Sequence, residues 1–302
     1  MTPTPSLPRT DGFRAACLLA ALLLAGAGEA PRAQSLDALD DDPAVLTEAF
    51  VRGRLGSAAE RAFTGEAAER PISRGRLPRA PRIAVEPLWR DSARALVGVE
   101  FSNAQTAEDL YVFADSTAAG WRIAAFRNFE LPSVYYQQLD RYRNQGERSI
   151  REAYAATWAR SRERGVSLAQ HQAVHGTEDD RVFAVFNLRL ASGSDRDLVR
   201  HFEFLRERFE GLRQNLSASP ARALPLEHDD EAFGEELRYL LVKRAYRPAA
   251  GPVRFEVASI GGDDVGYLYC DDPDGACVPT PTPGGVIALR DLGGGWYLYR
   301  TT

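Results

Sequence analysis

Two histidines have the spacing of a metal-binding pair. His171 and His175 stand four residues apart. On a helix this spacing places both imidazoles on one face as metal ligands, whereas on a strand it separates the rings by roughly 13 Å. Residues 166–175 have the composition of a strand, and the residues between the two histidines supply no glutamate base. The sequence therefore predicts structural or surface histidines at these positions and no metal site.

Acidic residues form three further clusters that can be weighed as cation sites. Residues 271–275 (DDPDG) match part of a calcium-binding loop but lack the glutamate that such a loop carries at its twelfth position. Residues 227–231 and 40–42 each precede a predicted helix, where carboxylates favour the helix start through its dipole. These patterns favour solvated acids, and the sequence predicts neither a metal nor a cofactor.

The cysteine pattern indicates a disulfide. Cys270 and Cys277 flank a turn built on Pro273, Asp274 and Gly275, and no CxxC motif of the redox-active kind is present. Turn residues of this type bring the two ends of a short segment together. In an oxidising compartment such a pair is expected to be joined. We therefore predict a structural disulfide between Cys270 and Cys277.

The N-terminus has the three parts of a secretory signal in the required order. Arg9 and Arg14 precede an apolar run at residues 15–27, and small residues follow with cleavage points after Ala27, Ala30 or Ala33. A 13-residue run rises only about 20 Å as a helix, which is too short for a bilayer core of roughly 30 Å. The pattern predicts a signal peptide at residues 1–33, a periplasmic or secreted location, and no membrane span in the mature chain.

Composition and motif content exclude several classes of function. A net charge of −5 argues against nucleic acid as a partner. The chain contains no GxSxG elbow, no P-loop, no GxGxxG after a predicted strand and no zinc-type cysteine cluster. A Ser-His-Asp triad is recognised by geometry rather than chain order, so the sequence leaves that alternative open.

Periodicity predicts an α+β fold with two similar halves. In the first half, two short helices within residues 41–67 precede four closely spaced strands at 82–89, 94–101, 109–115 and 120–129, a spacing typical of an antiparallel sheet. Residues 132–164 form a helical connector. The second half is predicted to contain a hairpin of residues 166–175 and 182–190, then a long amphipathic helix after Ser194. Five strands follow, at 237–246, 252–260, 265–270, 285–290 and 295–301.

This pattern divides the chain into a domain at 34–131, the connector at 132–164 and a second α+β domain at 165–302. Each half is a helix-plus-curved-antiparallel-sheet unit, and the helical connection joins them. An apolar residue recurs along the long helix at alternating steps of four and three residues: Leu198, Phe202, Leu205, Phe209, Leu212 and Leu216. Such a stripe favours packing of this helix on a sheet.

Two stretches carry resemblances to known proteins. Residues 41–129, two helices followed by four hairpin-linked strands that end in GWRIAAF, resemble the NTF2-like (SnoaL-like) superfamily. VGYLY at 265–269 and GWYLYRTT at 295–302 resemble the endings of uncharacterised exported bacterial proteins. The NTF2-like resemblance implies a cone-shaped domain that encloses an apolar pocket, in a superfamily of isomerases, dehydratases and non-catalytic binding modules. The histidines all lie at or beyond His171, outside the matching region, which argues against the dehydratase chemistry of that superfamily.

An isomerase-like site would need a carboxylate base and a hydrogen-bond donor, for which Asp109, Tyr111 and Asp115 have suitable types. The aromatic residues of the predicted strands are the candidate pocket lining: Tyr111, Phe113, Trp121 and Phe126. We therefore expect a non-catalytic module that binds a small apolar ligand or an envelope protein. The alternatives are an enzyme with an NTF2-like pocket (an isomerase, lyase or hydrolase) and a structural or inhibitory envelope protein. The sequence leaves the oligomeric state open.

Overall fold

The computed structural model describes residues 41–302 except 73–76, 79, 130–131, 143, 219–224, 249–250, 261 and 273. The described residues all fall within one compact unit. The predicted signal peptide at residues 1–33 lies outside the described residues.

The helices are α1 (Pro43–Val51), a 3₁₀ turn (Gly56–Ala62), α2 (Gly65–Glu69), α3 (Ser133–Tyr142), α4 (Glu147–Glu163), α5 (Leu168–His175), α6 (Glu178–Ala191), α7 (Asp195–Ala218) and α8 (Gly234–Tyr239). The strands are β1 (Arg82–Arg90), β2 (Arg94–Ser102), β3 (Ala107–Thr117), β4 (Gly120–Arg127), β5 (Leu226–Glu227), β6 (Arg244–Tyr246), β7 (Val253–Ile260), β8 (Asp263–Tyr269), β9 (Val286–Gly293) and β10 (Trp296–Thr301).

The first four strands form an antiparallel meander, which we call sheet A, in the order β1-β2-β3-β4. One face of sheet A packs against α1, the 3₁₀ turn and α2 around Leu46, Phe50, Trp121 and Ile123. Alternation along each strand sends every second side chain to this face, as the period of two in the sequence predicts. The helix-covered face is therefore filled by its own side chains.

The remaining strands form sheet B, in the order β5-β6-β7-β8-β10-β9 with antiparallel pairing. The apolar stripe of α7 covers one face of this sheet, with Phe202 and Phe209 packed against Phe255, Tyr267 and Trp296. Phe202 and Phe209 are fully buried, which confirms that the stripe packs on a sheet. The end of α6 and parts of α3 and α8 complete the same core.

A small cluster joins the two sheets. Leu96, Tyr111 and Phe113 on the second face of sheet A contact Ile287 and Ala288 of β9. The helix-free face of sheet A is thus covered by the edge of sheet B. This junction places the start of α7 and the end of β10 beside β3.

The α+β class, with helices and two curved, open antiparallel sheets, is confirmed. The disulfide between Cys270 and Cys277 is also present, with the two Cα atoms 5.7 Å apart. The helix predicted after Ser194 begins at Asp195, and Ser194 and Asp197 form a capping box at its start. The amide of Asp197 donates to Ser194 Oγ, and the amide of Ser194 donates to the Asp197 carboxylate.

The predicted hairpin of residues 166–175 and 182–190 was wrong, because this segment forms helices α5 and α6. Capping boxes open both helices, Ser167 with Gln170 and Thr177 with Asp180. The polar residues 177–180 resembled a hairpin turn, but here they satisfy the free amides of a helix start. Local capping therefore outweighs the strand-like composition of residues 182–190.

The predicted strand at 237–246 was also wrong over most of its length. Residues 234–239 are helical, and only Arg244–Tyr246 pairs in sheet B. Leu241 ends the helix in the left-handed conformation with φ of 50°, and the amide of Val242 donates to Leu237 O. This hydrogen bond is that of a Schellman end, which usually uses glycine. Among the described residues, no helix is long and apolar enough to cross a membrane.

Candidate functional site

The junction of the two sheets holds a cluster of buried charged and hydroxyl groups. Asp109 and Tyr111 lie on the same face of β3, opposite Glu100 and Gly98 of β2. Tyr111 is 1% exposed, and Asp109 is half-buried. We call Asp109, Tyr111, Asp195 and Arg300 the junction cluster.

Asp195 is the centre of the junction cluster. Its Oδ1 accepts a hydrogen bond from Tyr111 Oη at 2.8 Å and one from Arg300 Nε at 2.9 Å. Its backbone amide donates to Asp109 Oδ2 at 2.7 Å. Asp195 is the first residue of α7, so Asp109 accepts from a free amide at a helix start, where negative charge is stabilised.

Arg300 brings the last strand of sheet B into the cluster. Its side chain is 2% exposed, and its Nη2 donates to Gly193 O at 2.7 Å. The guanidinium also lies over the ring of Phe129, 4.9 Å from the centroid. Arg300 follows Trp296 and Leu298 in the alternation of β10, and all three face inward. A buried arginine at an apolar position is thus compensated by a carboxylate and by backbone carbonyls.

Arg290 of β9 approaches the same carboxylate without completing a hydrogen bond. Its Nε lies 3.7 Å from Asp195 Oδ2, and its Nη1 pairs with Glu86 of β1. Asp195 Oδ2 and Arg290 Nε are both buried, and neither has a hydrogen-bond partner among the described residues. One hydroxyl or water oxygen between them would satisfy both atoms, because it can accept from Arg290 and donate to Asp195.

Burial changes the proton affinities of the cluster. Loss of hydration, together with the nearby Asp195 carboxylate, raises the pKa of Asp109 to about 7, although Arg300 opposes this change. Burial also raises the pKa of Tyr111 well above its usual value, so this phenol remains a neutral donor. Burial opposes the charge of Arg300, but Tyr111 and Asp195 beside it raise its pKa above the usual value. Asp109 can therefore change protonation near neutral pH.

Two cavities open on either side of Asp109 and Tyr111, which line both. The first cavity has a volume of about 370 Å³ and lies between sheet A, α7 and β9. The second cavity has a volume of about 520 Å³ and reaches Phe129, Ser194 and Arg300. The charged residues that line the first cavity are Glu86, Glu100, Asp109, Asp195, Glu203, Asp291, Arg196 and Arg290. Six carboxylates thus face two guanidiniums in the first cavity.

A third cavity of about 510 Å³ lies on the helix side of sheet A. It is lined mainly by apolar residues, among them Phe50, Leu55, Phe63 and Ile72. The ring of Phe126 lies 5.3 Å from that of Phe50 and 6.1 Å from that of Phe63, so it backs this cavity. This cavity is chemically unlike the first two.

The four predicted ligand-binding aromatics do not converge on one pocket. Tyr111 lines the first and second cavities, and Phe113 is buried nearby against Ile287 without lining either. Trp121 and Phe126 lie in the core on the helix side of sheet A. Sheet A therefore separates the predicted set into two pairs, and the ligand-binding role of each residue stays a prediction.

The isomerase-like candidates separate in a similar way. Asp109 and Tyr111 come together in the junction cluster, whereas Asp115 lies further along β3, opposite Arg94 and Arg122, and lines neither cavity at the junction. No group of three or more metal-ligating side chains gathers anywhere in the described part of the chain. Asp271, Asp272 and Asp274 line a shallow pocket beside the disulfide.

Sequence reasoning missed Asp195, Arg290 and Arg300 as site residues. Two signals for them were present in the sequence. Arg300 occupies a position of β10 where the alternation requires an inward side chain, and Asp195 directly follows the cap of α7. Neither signal shows which residue the buried charge will meet, because their partners are 84 to 105 residues apart along the chain.

Comparison with known proteins assigns no relative to this chain. Neither the family models, nor the curated proteins, nor the solved structures contain a significant match. The function must therefore be argued from the geometry of the site.

Proposed function

We propose that this protein is an exported, non-catalytic binding module whose first cavity takes a small ligand with a protonated amine. The observation that carries this proposal is the excess of carboxylates around a cavity of about 370 Å³. That volume suits a small molecule. Clefts lined by one sign of charge concentrate ligands of the opposite sign.

Ion pairs within the lining account for only part of the acidic charge. Glu86 pairs with Arg290, and Glu100 pairs with Arg196 at 3.3 Å. Among the described residues, no salt bridge compensates Asp109, Glu203 or Asp291. A primary or secondary ammonium group supplies donors for these acceptors and restores charge balance.

Calorimetry with a panel of small amines, their uncharged alcohol analogues and matched carboxylates tests the proposal. We expect micromolar to millimolar binding of at least one amine and none of its alcohol analogue. Binding should strengthen as the pH rises through about 7, because Asp109 then becomes charged while the amine remains protonated.

Asp109→Asn should weaken amine binding about tenfold and remove this pH dependence, a loss of about 1.4 kcal/mol in a charge-assisted hydrogen bond. Asp115→Asn, on the same strand but outside the cavity, is the matched control. Equal binding by both variants, or preferential binding of the carboxylates, would show that the ligand class is wrong.

A second candidate function is enzymatic, and the titration of Asp109 near neutral pH favours it. A carboxyl with a pKa of about 7, open to two cavities and adjacent to the neutral donor Tyr111, has the properties of a general acid or base. An NTF2-like isomerase or lyase would use such a group to remove a proton next to a carbonyl. Incubation of a bound ligand in D₂O would reveal this chemistry as deuterium incorporation that Asp109→Asn abolishes.

The apolar ligand predicted from the sequence also has a candidate position, in the third cavity. Its lining of Phe50, Leu55, Phe63 and Ile72 supports an NTF2-like description of residues 34–131, in which helices cover one face of a curved sheet. Native mass spectrometry of protein purified from a periplasm would detect a retained apolar molecule. Phe63→Ala should release it, whereas Asp109→Asn should not.

Export is supported by the signal-peptide pattern and by the disulfide between Cys270 and Cys277. Cell fractionation followed by N-terminal sequencing tests the proposal. We expect the mature chain in the periplasm or the medium, with its N-terminus just after Ala27, Ala30 or Ala33. An uncleaved chain in the cytoplasm would contradict it.

A further inference from the structure

The last helical turn of α5 brings two imidazoles into contact. His171 and His175 lie one turn apart on one side of this helix, with ring centroids 4.6 Å apart. Ser167 and Gln170 cap the start of the helix, and Gly176 ends it with φ of 71°. The pair is therefore held on a capped helix that also contacts α4.

The surroundings of His171 leave one of its ring nitrogens available. His171 is 1% exposed, and Tyr154 and Trp158 of α4 each place a ring centroid 5.3 Å from its own. Its Nδ1 lies 3.0 Å from Ser161 Oγ, which can accept a hydrogen bond from it. Its Nε2 is buried and has no hydrogen-bond partner among the described residues.

This arrangement resembles that of metal-binding histidines in general. Such histidines donate through one ring nitrogen to a neighbouring group and bind the metal through the other. His175 is exposed, and its ring lies beside that of His171 on the same side of α5.

We propose that His171 Nε2 and the imidazole of His175 bind a Cu(II) ion whose remaining positions are taken by water. Two imidazoles at this helical spacing present nitrogen ligands to the same point. Structural zinc sites use four protein ligands and catalytic zinc sites three, whereas the described residues offer two here. Cu(II) accepts a tetragonal set of nitrogen and oxygen ligands and binds most tightly of the first-row divalent ions.

Trp158 provides a built-in reporter of this site. Its ring centroid lies 5.3 Å from that of His171, and bound Cu(II) quenches indole fluorescence at such distances. Titration of the whole mature protein with Cu(II) should give saturable quenching with a micromolar Kd. Electron paramagnetic resonance of the saturated protein should show coupling to two nitrogens.

His175→Ala should raise the Kd at least tenfold, and Trp158→Phe should remove the saturable quenching without changing the resonance spectrum. Val174→Ala, at a neighbouring position that is 76% exposed, should change neither.

Because His175 is exposed, its replacement leaves the core intact, and circular dichroism confirms this before each titration. Unchanged affinity in His175→Ala, or saturable quenching that persists in Trp158→Phe, would place the copper elsewhere and overturn the proposal. Amine binding at the first cavity is measured separately and does not depend on this outcome.

Discussion

The charge of Arg300 is neutralised within the protein rather than by solvent. Asp195 and Arg300 are each 2% exposed, and their ion pair is supported by Tyr111 Oη and by the carbonyl of Gly193. Burying two charges costs several kcal/mol for each ion, which their attraction and hydrogen bonds offset. Removal of one partner leaves the other charge buried without compensation.

Arg300→Met is therefore expected to destabilise the protein by about 3–5 kcal/mol. Urea denaturation measures this change in the free energy of unfolding. The double variant Asp195→Asn with Arg300→Met should lose less than the sum of the two single losses, because neither charge then remains unpaired. Arg148→Met is the control, because it breaks a surface ion pair in which the Arg148 side chain is 92% exposed and that of Glu152 is 63% exposed. It should cost less than about 1 kcal/mol of stability. Additive losses in the double variant would contradict the coupling.

Asp109 should make stability fall as the pH rises. Its pKa of about 7 in the folded protein lies above the 3.8 of an unperturbed aspartate, so the folded state binds the proton more tightly. The stabilisation is fully present below about pH 4 and is lost as the pH approaches 7. Asp109→Asn keeps an acceptor for the amide of Asp195. Between pH 4.5 and pH 8, the stability of this variant relative to the wild type should increase by about 1–3 kcal/mol. Parallel pH profiles for the two proteins would refute this assignment.

At the scale of elements, helix caps determine the secondary structure of residues 182–190, whose composition fits a strand. The segment contains Val182, Phe183 and Val185, which favour strands, yet it forms most of α6. Thr177 Oγ1 accepts from the amide of Asp180, and Asp180 Oδ2 accepts from the amide of Thr177. Asn187 Nδ2 then fixes the helix to sheet B by donating to Val257 O of β7, and it also donates to Leu241 O just after α8. Capping sets where the helix starts, and tertiary hydrogen bonds hold it there.

Thr177→Ala is accordingly expected to cost about 1 kcal/mol of stability, because the amide of Asp180 loses its acceptor. The matched control is Thr157→Ala within α4, where the hydroxyl donates to Ala153 O and accepts from Arg160 Nη2 but caps no amide of a helix start. Thermal denaturation of both variants provides the comparison. Equal effects at the two sites would show that the capping box is not what stabilises α6.

At the scale of the whole molecule, the two sheets share a core. Leu96, Tyr111 and Phe113 of sheet A pack against Ile287 and Ala288 of sheet B, and the junction cluster also links the two sheets through Asp195 of α7. This contact therefore joins the two domains that the sequence predicts, residues 34–131 and residues 165–302. Two sheets that bury residues against each other are expected to unfold together.

Native-state hydrogen exchange tests this cooperation. Amides of Val112 in β3 and Phe255 in β7 should exchange with the same free energy of opening in the mature protein. Ile287→Ala should lower both values by about 2–4 kcal/mol, since it leaves a cavity at the shared contact. Val174→Ala, on an exposed helix surface, should lower neither. A loss confined to β7 would indicate that the halves unfold independently.

The sequence by itself determined the α+β class, the antiparallel strands of sheet A, the start and buried stripe of α7, and the disulfide between Cys270 and Cys277. Each of these depends on local information: a period of two or 3.6 residues, a capping box, or a turn between two cysteines. Tyr111 was a candidate on the same grounds, since its residue type and strand position are visible without a structure.

Only the tertiary structure decided that α5 and α6 are helices and that Asp109, Tyr111, Asp195 and Arg300 meet. Both helices depend on capping hydrogen bonds, and on packing against α4 for α5 and against sheet B for α6, which strand-like composition obscures. The junction cluster depends on contacts across 84 to 105 residues, and no periodicity encodes which buried charge finds which partner. The pKa of Asp109 follows from that meeting, because burial and the neighbouring Asp195 carboxylate raise it only once the two sheets have packed together.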